Sequence, residues 1–303
     1  MEPTAPLMDV KRFAVHDGPG IRTTLFLKGC SLKCIWCHNP EGISLEPQMA
    51  YYQHKCIGCG ECTRVCKTSA QIMVMGKEHL YERLKCVHCG ACETVCLGEA
   101  MKLFGHRITV EEAMKTVLED SIFYSASGGG VTVSGGEPLL HADFIQILFQ
   151  ELKKKNIHTA VDTCGNVPWA YFEMVLPFVD LFLYDIKHID TKVHKTLTGA
   201  GNELILDNLK RLSASANHIE IRMPFVPGCN DDDDTIHRIG ELLKTLFIDR
   251  MKLLPYHSMA RTKYQALGME DTMPRVESPT DEMLSRAINI LKSYGINAIS
   301  GRD

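Results

Sequence analysis

Three cysteines, Cys30, Cys34 and Cys37, follow directly after a short apolar segment that the sequence predicts to be a buried strand. The segment covers residues 24–27, and the cysteines are spaced Cys-x3-Cys-x2-Cys. Three thiolates can ligate three irons of a [4Fe–4S] cube, which leaves the fourth iron open to a ligand that is not protein. A cluster that only carries electrons normally has four cysteine ligands. The triplet therefore predicts an enzyme that binds a reactant at an iron–sulfur cluster.

A second group of eight cysteines forms two copies of the pattern Cys-x2-Cys-x2-Cys-x3-Cys, thirty residues apart. In bacterial ferredoxins with two clusters, the fourth cysteine of each copy ligates the cluster of the other copy. The predicted ligands of one [4Fe–4S] cluster are Cys56, Cys59, Cys62 and Cys96, and those of the other are Cys66, Cys86, Cys89 and Cys92. The proline that usually follows the fourth cysteine is replaced by Lys67 and Leu97. A pair of zinc sites is the alternative, although a tetrahedral zinc needs only four cysteines in two pairs.

Length and composition set the general class of the protein. The 303 residues suffice for one large domain or a domain with an insertion, and 45% of them are hydrophobic. The net charge of −4 argues against a nucleic-acid partner. No stretch of about 20 apolar residues could span a bilayer, and residues 1–4 do not resemble a signal peptide. We therefore expect no membrane partner and a cytoplasmic location, where thiols stay reduced. Cys164 and Cys229 stand apart from the motifs and are expected to be ordinary packed thiols.

Strand and helix patterns alternate along the rest of the chain, which indicates parallel strands joined by helices. The predicted strands cover residues 24–27, 131–133, 157–161, 181–186, 219–223 and 251–255, with a weak candidate at 297–299; the predicted helices cover residues 109–121, 142–154, 169–178, 202–214, 231–247 and 281–294. Six such units are too few for a closed barrel of eight strands. The predicted fold class is α/β, a partial, open (β/α)6 TIM-like barrel formed by residues 1–45 and 105–303. Residues 46–104 are predicted to be an inserted ferredoxin-like domain with two [4Fe–4S] clusters.

Polar residues and glycines follow the predicted strands at their carboxyl ends, where the active site of such a barrel forms. Asp185 and Lys187, two residues apart on extended backbone, are expected to face the same side. The other residues expected at this edge are Ser134, Gly135, Gly136, Glu137, Asp162, Thr163, Arg222, Tyr256 and His257. Each of them alone is explained as well by a turn, a surface ion pair or a loop. Their coincidence at one edge predicts a binding site.

In these motifs the sequence resembles the glycyl radical enzyme activating enzymes, a branch of the radical S-adenosylmethionine (radical SAM) superfamily. The resemblance rests on residues 16–23, 29–41, 134–138, 162–165, 185–187, 222–228 and 253–257, which follow the family's order along nearly the whole chain. Many members also carry a ferredoxin-like insert at this point. The resemblance implies an anaerobic oxidoreductase that reductively cleaves S-adenosylmethionine to a 5′-deoxyadenosyl radical. That radical would take a hydrogen atom from a glycine α-carbon of a partner glycyl radical enzyme.

The resemblance also implies roles for individual residues. Cys30, Cys34 and Cys37 would ligate the catalytic cluster, which makes three [4Fe–4S] clusters in all. The residues implied to line the S-adenosylmethionine site are Trp36, His38, Gly135, Gly136, Glu137, Asp162, Asp185, Lys187, Arg222 and His257. Asp162, Thr163 and Asp185 match a monovalent-cation site beside the carboxylate of the cofactor. Residues 16–22 would lie near the glycine loop of the partner, and a flavodoxin or ferredoxin would donate the electron.

Two other functions share part of these observations. A radical SAM enzyme that acts on a small molecule would need the same clusters, but it would form 5′-deoxyadenosine without a partner protein. A non-catalytic iron–sulfur electron carrier would explain the eight cysteines, but neither the triplet nor the polar edge. The inserted clusters are interpreted as an electron relay, with a structural or docking role as the alternative. The sequence selects neither the particular glycyl radical enzyme, nor the oligomeric state, nor the physiological electron donor.

Overall fold

The structure, a computed structural model, describes residues 3–74, 78–215 and 217–302. Its strands are β1 (Thr4–Ala14), β2 (Arg22–Leu27), β3 (Gln48–Tyr51), β4 (Gln71–Val74), β5 (Glu78–Tyr81), β6 (Met101–Phe104), β7 (His106–Thr109), β8 (Gly130–Gly135), β9 (His158–Thr163), β10 (Leu181–Asp185), β11 (His218–Phe225), β12 (Arg250–Pro255) and β13 (Ala298–Ser300). Its α-helices are α1 (Glu61–Val65), α2 (Ala91–Thr94), α3 (Val110–Leu118), α4 (Ser121–Ser127), α5 (Ala142–Lys153), α6 (Trp169–Val175), α7 (Thr191–Thr198), α8 (Glu203–Ser213), α9 (Asp233–Leu243), α10 (Arg261–Leu267) and α11 (Asp281–Ser293). The predicted domains include residues 1, 2, 75–77, 216 and 303, which lie outside the described residues.

The largest sheet is open and has nine strands in the order β13-β12-β11-β10-β9-β8-β2-β1-β7. Every neighbouring pair from β2 to β13 is parallel. Parallel neighbours need long crossover connections, and helices supply them here. The prediction of parallel strands joined by helices is therefore confirmed, and the weak candidate near residue 298 is the edge strand β13.

The predicted number of six sheet strands is too low, because it counts neither β13 nor the antiparallel strands β1 and β7. β1 lies between β2 and β7, with Leu7 opposite Leu27 and Ala5 opposite Ile108. Its sequence contains Pro6, and its buried first half is followed by a largely exposed second half. It therefore shows neither strict alternation nor a continuous apolar run, which are the patterns that reveal strands.

One large apolar core fixes the positions of the parallel strands. Val131 and Val133 of β8 have no exposed surface, and neither do Phe144 and Leu148 of α5. All four belong to a cluster of buried residues that extends along the sheet to Ala298 of β13. Helices that cover parallel strands bury the apolar runs of those strands. The carboxyl ends of the strands are thereby held at fixed positions along one edge.

Residues 48–104 form a smaller unit that leaves the sheet after β2. β3 pairs antiparallel with β6, and β4 pairs antiparallel with β5. The short helices α1 and α2 pack against each other, and each follows a glycine with left-handed φ, Gly60 or Gly90. The orders β3-α1-β4 and β5-α2-β6 thus repeat one pattern, as the two cysteine copies lead us to expect. The domain boundaries at 46 and 104 stay a prediction.

Candidate active site

The first cysteine motif lies in the loop after β2. The Cys30 N–H donates to the carbonyl of Ile43 at 3.0 Å, and the Leu32 N–H donates to Cys30 Sγ at 3.4 Å. Gly29, just before Cys30, has φ +101°, in the region that glycine adopts readily. The loop therefore begins with a sharp turn that holds Cys30 beside the carboxyl end of β2.

The three thiols of this motif have different surroundings. Burial raises the pKa of Cys34 to about 11 and that of Cys37 to about 12. A hydrogen bond from the buried Cys164 thiol lowers the pKa of Cys30. Iron binds thiolates, so a metal that occupies this loop must displace protons. A set of three thiols, with the Lys187 ammonium near enough to favour the Cys34 thiolate, fits an iron–sulfur cluster in chemistry and in charge.

Helix α10 holds the far end of the cysteine loop. Tyr264 donates its hydroxyl to the Cys37 carbonyl at 3.1 Å. Lys263 donates to the His38 carbonyl at 3.0 Å and pairs with Glu41 at 2.6 Å. Because both side chains come from one helical turn, α10 restrains the loop at several points.

A polar network joins the ends of β8, β9 and β11. Ser134 donates to Asp162 at 2.7 Å, and the Arg222 guanidinium lies 3.8 Å from Asp162. The buried Arg222 also donates to Glu220 at 3.1 Å and to the His16 carbonyl at 2.6 Å. Burial raises the pKa of Asp162 to about 6, and Arg222 opposes that shift. The structure thus brings Asp162 and Arg222 together at the edge where the sequence analysis expects them.

Asp185 and Lys187 form a pair at the end of β10, 2.6 Å apart. Burial alone would lower the pKa of Lys187, but the Asp185 carboxylate and the nearby Cys34 outweigh it and raise that pKa well above its usual value. The two residues face the same side, as their spacing predicts. A cation and an anion therefore lie close to the cysteine loop.

Gly135 and Gly136 pass directly against the end of β2. A Cβ atom at Gly135 would lie 2.1 Å from the Leu27 carbonyl oxygen, and one at Gly136 would lie 2.1 Å from that of Gly29. Gly135 also has φ +128°. These two positions accept only glycine because the backbone itself is packed there, whether or not a ligand approaches.

The Glu137 carboxylate is completely buried. It accepts hydrogen bonds from the Thr163 hydroxyl at 2.7 Å, the Cys164 N–H at 2.8 Å and the Leu139 N–H at 3.0 Å. This arrangement differs from the implied contact between Glu137 and the cofactor. The carboxylate instead ties the turn after β8 to the end of β9, and so it positions the neighbouring main chain.

Trp36 and His38, on either side of Cys37, lie in different environments. Trp36 is buried in an apolar cluster with Val226 and Tyr256. His38 stacks on His257 with ring centroids 4.0 Å apart, and burial lowers the pKa of His38 to about 4. Trp36 therefore packs against the loop from within, and its implied contact with S-adenosylmethionine stays a prediction. The two histidines lie at the rim.

The predicted cation site falls on neighbouring strands. Asp162 and Asp185 already have the protein partners described above, and Thr163 donates to Glu137. Within residues 3–74, 78–215 and 217–302, no three histidine, cysteine or carboxylate side chains are arranged to hold a single metal ion. The monovalent cation stays a prediction.

The loop between β1 and β2 folds onto the sheet through polar contacts. Arg22 is fully buried and donates to the Thr132 hydroxyl at 2.6 Å and to the Val131 carbonyl at 2.7 Å. Asp17 accepts a hydrogen bond from the Thr24 hydroxyl at 2.8 Å. Together with the bond between Arg222 and the His16 carbonyl, these contacts give residues 16–22 a defined conformation beside the polar network.

The eight cysteines of the inserted unit line two cavities. Cavity A is lined by Cys56, Cys59, Cys62 and Cys96, and cavity B by Cys66, Cys86, Cys89 and Cys92. The Ala70 N–H donates to Cys66 Sγ and the Ala100 N–H to Cys96 Sγ, both at 3.2 Å. Peptide N–H groups that point at sulfur favour thiolates. Four thiols around each cavity therefore fit a [4Fe–4S] cluster in the grouping that the repeat predicts.

Sequence comparisons identify the family. Residues 83–239 match the Radical SAM superfamily, and residues 48–97 match the 4Fe-4S dicluster domain. The chain is 38% identical to the (2S)-3-sulfopropanediol dehydratase activating enzyme of Klebsiella oxytoca, over 99% of this chain and 98% of that protein. It is 40% identical to the trans-4-hydroxy-L-proline dehydratase activating enzyme of Clostridioides difficile, over 97% and 98%.

The chain belongs to the glycyl radical enzyme activating enzymes of the radical SAM superfamily. It is therefore a radical SAM oxidoreductase, and the resemblance drawn from its motifs is confirmed. A radical SAM methyltransferase from Sphaerobacter thermophilus has the same fold, with a TM-score of 0.55 and 15% identity over 98% of this chain and 77% of that one. None of the described helices has the length and apolar character needed to cross a membrane.

Several residues that build this activating-enzyme site were not found by sequence reasoning. Lys263 and Tyr264 lie in α10, which the hydrophobic pattern does not predict. Glu220 is two residues before Arg222 on β11 and so faces the same side, a signal that was present in the sequence. Cys164 is a buried core thiol, as expected, and it also lies next to Cys30. No sequence pattern places residue 164 beside residue 30, since only the folded sheet brings β9 next to the loop after β2.

Proposed function

We propose that this protein activates a glycyl radical enzyme. With one electron it cleaves S-adenosylmethionine into methionine and a 5′-deoxyadenosyl radical. That radical takes a hydrogen atom from the α-carbon of one glycine of the partner, so a glycine C–H bond breaks and a C–H bond forms at C5′. The partner is left with the glycyl radical, and 5′-deoxyadenosine is released.

The observation that carries this proposal is the three-thiol loop after β2, beside a cation, an anion and a buried arginine. A [4Fe–4S] cluster held by Cys30, Cys34 and Cys37 supplies the electron and an iron without a protein ligand. Lys187 and Asp185 are placed to orient the charged methionine end of S-adenosylmethionine, and Arg222 with Asp162 to fix the other side of the site. Trp36 and the apolar residues around it exclude water behind the loop. The chain thus supplies orientation and shielding, while the cofactors carry the difficult chemistry.

No side chain is assigned as a general acid or base. His38 and His257 stack on each other at the rim and are proposed to contact the cofactor. Gly135 and Gly136 offer main-chain groups close to the site, and Glu137 holds that turn in place. His38, His257, Gly135 and Gly136 complete the site proposed for S-adenosylmethionine.

The proposed location is the cytoplasm, because its reducing environment suits a chain with thirteen free cysteines.

Deuterium transfer tests the proposed hydrogen abstraction. The protein is purified without oxygen, loaded with its clusters, reduced, and mixed with a glycyl radical enzyme whose glycine carries deuterium at the α-carbon. We expect deuterated 5′-deoxyadenosine and a glycyl radical in the electron paramagnetic resonance (EPR) spectrum. The matched control is the same partner with its radical glycine replaced by alanine, which should give neither. Unlabelled 5′-deoxyadenosine with every partner tried would indicate that the substrate is a small molecule. If S-adenosylmethionine is not cleaved at all, the protein is an electron carrier.

The particular partner is chosen by which enzyme yields a radical. The relatives are named for a (2S)-3-sulfopropanediol dehydratase, a trans-4-hydroxy-L-proline dehydratase and an indoleacetate decarboxylase, at 37% to 40% identity. Such similar identities do not single out one metabolite. An activating enzyme touches the glycine loop of its partner and not the partner's substrate, so the test above is run against each class in turn.

We also propose that the two cavities of the inserted unit hold [4Fe–4S] clusters that pass electrons from a flavodoxin or ferredoxin to the catalytic loop. The match of residues 48–97 to a 4Fe-4S dicluster domain supports this. So does the contact of the unit with α10, the helix that also holds Cys37.

Replacing Cys56 or Cys89 with alanine tests this relay. We expect 5′-deoxyadenosine release driven by flavodoxin to fall by about tenfold or more, because loss of a ligand costs at least as much as loss of a supporting contact. Release driven by a strong chemical reductant should stay near wild type, since that reductant reaches the catalytic loop directly. Cys229→Ala, outside all three motifs, is the control. Equal losses with both reductants would mean that the unit is structural.

A further inference from the structure

Cavities A and B are related by the thirty-residue repeat but differ in their linings. Cavity A is lined by His79 and Met101, and cavity B by Met49 and Gln71. The offset that separates the two cysteine copies relates Met49 to His79 and Gln71 to Met101. At these two repeat positions each cavity therefore has one thioether and one polar side chain, exchanged between the copies. Met73 also lines cavity A, and Lys67 and Thr68 also line cavity B. The two polar residues break the symmetry of the repeat.

His79 and Gln71 are hydrogen-bonded to each other between the cavities. The distance from His79 Nε2 to Gln71 Oε1 is 2.7 Å, and the two residues are only 7% and 2% exposed. An amide oxygen carries no hydrogen, so Nε2 is the donor. The Gln71 amide nitrogen then points at Cys92 Sγ, 3.7 Å away. The opposite amide orientation would place an oxygen against a thiolate and is disfavoured.

This hydrogen bond also decides what His79 can offer to cavity A. His79 Nδ1 lies 3.8 Å from Cys56 Sγ, and Nε2 lies 3.6 Å from Cys62 Sγ. His79 Nε2–H donates to Gln71 at the shorter distance, so it is not available to Cys62. The pair thus directs the Gln71 amide N–H at the sulfur of Cys92 in cavity B, and the Nε2–H of His79 at no sulfur of cavity A.

Cavity B is connected to the catalytic loop by hydrogen bonds through Arg83. Arg83, three residues before Cys86, donates to the Ala266 carbonyl at 2.6 Å and to the Met49 carbonyl at 2.9 Å. Ala266 belongs to α10, whose Tyr264 holds the cysteine loop after β2. Bonded residues thus link cavity B, through α10, to the site of the reaction.

We propose that the His79–Gln71 pair makes the two inserted clusters unequal, with the higher reduction potential in cavity B. This inference rests on the electron relay proposed above. A hydrogen bond to a ligating sulfur stabilises the more negative, reduced cluster and so raises its potential. One electron from an external flavodoxin or ferredoxin, which is oxidised, then enters at cavity A and moves downhill to cavity B beside α10. Gln71 tunes the potential, and His79 is a positioning residue that orients the Gln71 amide.

Redox titration followed by EPR tests the inference on the full chain loaded with its clusters. The Cys34→Ala background is used so that only the two inserted clusters titrate. Gln71→Met, which copies Met101, should lower the higher midpoint and leave the lower one in place. The equilibrium ratio of the electron on the cluster in cavity B to that on the cluster in cavity A should change by about tenfold. For one electron this corresponds to a shift in midpoint potential of about 59 mV. Met101→Gln, the reciprocal change, should raise the lower midpoint.

The variant His79→Met, which copies Met49, separates positioning from packing. His79 lines cavity A, yet its replacement should lower the midpoint of the cluster in cavity B, because the amide of Gln71 is no longer oriented. A shift of the cavity A midpoint alone, or no shift with Gln71→Met, would overturn the inference. If Gln71→Met loses iron, the titration of Met101→Gln decides instead.

The titration is independent of the proposed reaction. If these variants shift the midpoints as expected and the wild-type chain never cleaves S-adenosylmethionine, the proposed function is refuted and this inference stands. If the wild-type chain cleaves S-adenosylmethionine fully and the variants leave the midpoints unchanged, the proposed function stands and this inference is refuted.

Discussion

Replacing Cys34 with alanine is expected to abolish the release of 5′-deoxyadenosine while leaving the inserted unit loaded with iron. Two thiolates cannot hold a cluster that needs the three cysteines of this loop. One of the two that remain is also costly to deprotonate, since burial raises the pKa of Cys37 to about 12. We expect a loss of at least about a hundredfold, because supporting contacts of a metal alone are worth 10- to 100-fold. Product release is measured by chromatography, and iron per chain should fall from about twelve to about eight, one [4Fe–4S] cluster.

Cys229→Ala is the matched control for this variant. Cys229 packs against the apolar cluster that contains Trp36, so it lies near the same loop, but it belongs to no cysteine motif. Its replacement should keep both the iron and the activity. Retained cleavage in Cys34→Ala would remove the triplet from the reaction. Equal losses in both variants would show that packing around the loop, and not ligation, had been tested.

The parallel strands were predictable because each is an apolar run buried by helices. The strand predicted at residues 181–186 is β10, Leu181–Asp185, and that predicted at 251–255 is β12, Arg250–Pro255. β1 was missed because Pro6 and the exposed second half of the strand obscure its pattern. α10 was missed because only seven residues form it, and its main contacts are polar bonds to the cysteine loop.

Residue types at the site were predictable, but the directions of their side chains were not. A strand fixes direction by alternation, so Asp185 and Lys187 meet as expected. Glu137 and Trp36 lie in turns, where no period applies. There the Glu137 carboxylate points inward and accepts hydrogen bonds from buried N–H groups. The Trp36 indole points inward and packs in an apolar cluster. The pair of His79 and Gln71 is still harder to foresee, since it is a diagonal contact across the β4–β5 hairpin and depends on the register that places Gln71 opposite Tyr81 and His79 opposite Met73.

Arg222→Met is expected to lower the Tm of the loaded protein by about 10 °C at pH 8. Arg222 is 5% exposed and is the cation beside Asp162, and it also holds the His16 carbonyl. Removing one partner of a buried ion pair costs roughly 3–5 kcal/mol, because the other charge stays buried without compensation. In a chain of this size each kcal/mol changes Tm by about 2–4 °C. The measurement is a thermal melt without oxygen and without S-adenosylmethionine.

Arg250→Met provides the matched control, because Arg250 pairs with the same Glu220 but is 40% exposed. Its loss should lower Tm by no more than about 3 °C, in line with the small value of exposed pairs.

The loss of Tm caused by Arg222→Met should also become smaller as pH falls from 8 to 6. Burial raises the pKa of Asp162 to about 6 and Arg222 opposes that shift, so the variant raises it further. The folded variant therefore takes up a proton that the unfolded chain does not, which stabilises it towards lower pH. If the loss of Tm in Arg222→Met does not change with pH, or if Arg250→Met loses as much, Arg222 acts by packing and not by its charge.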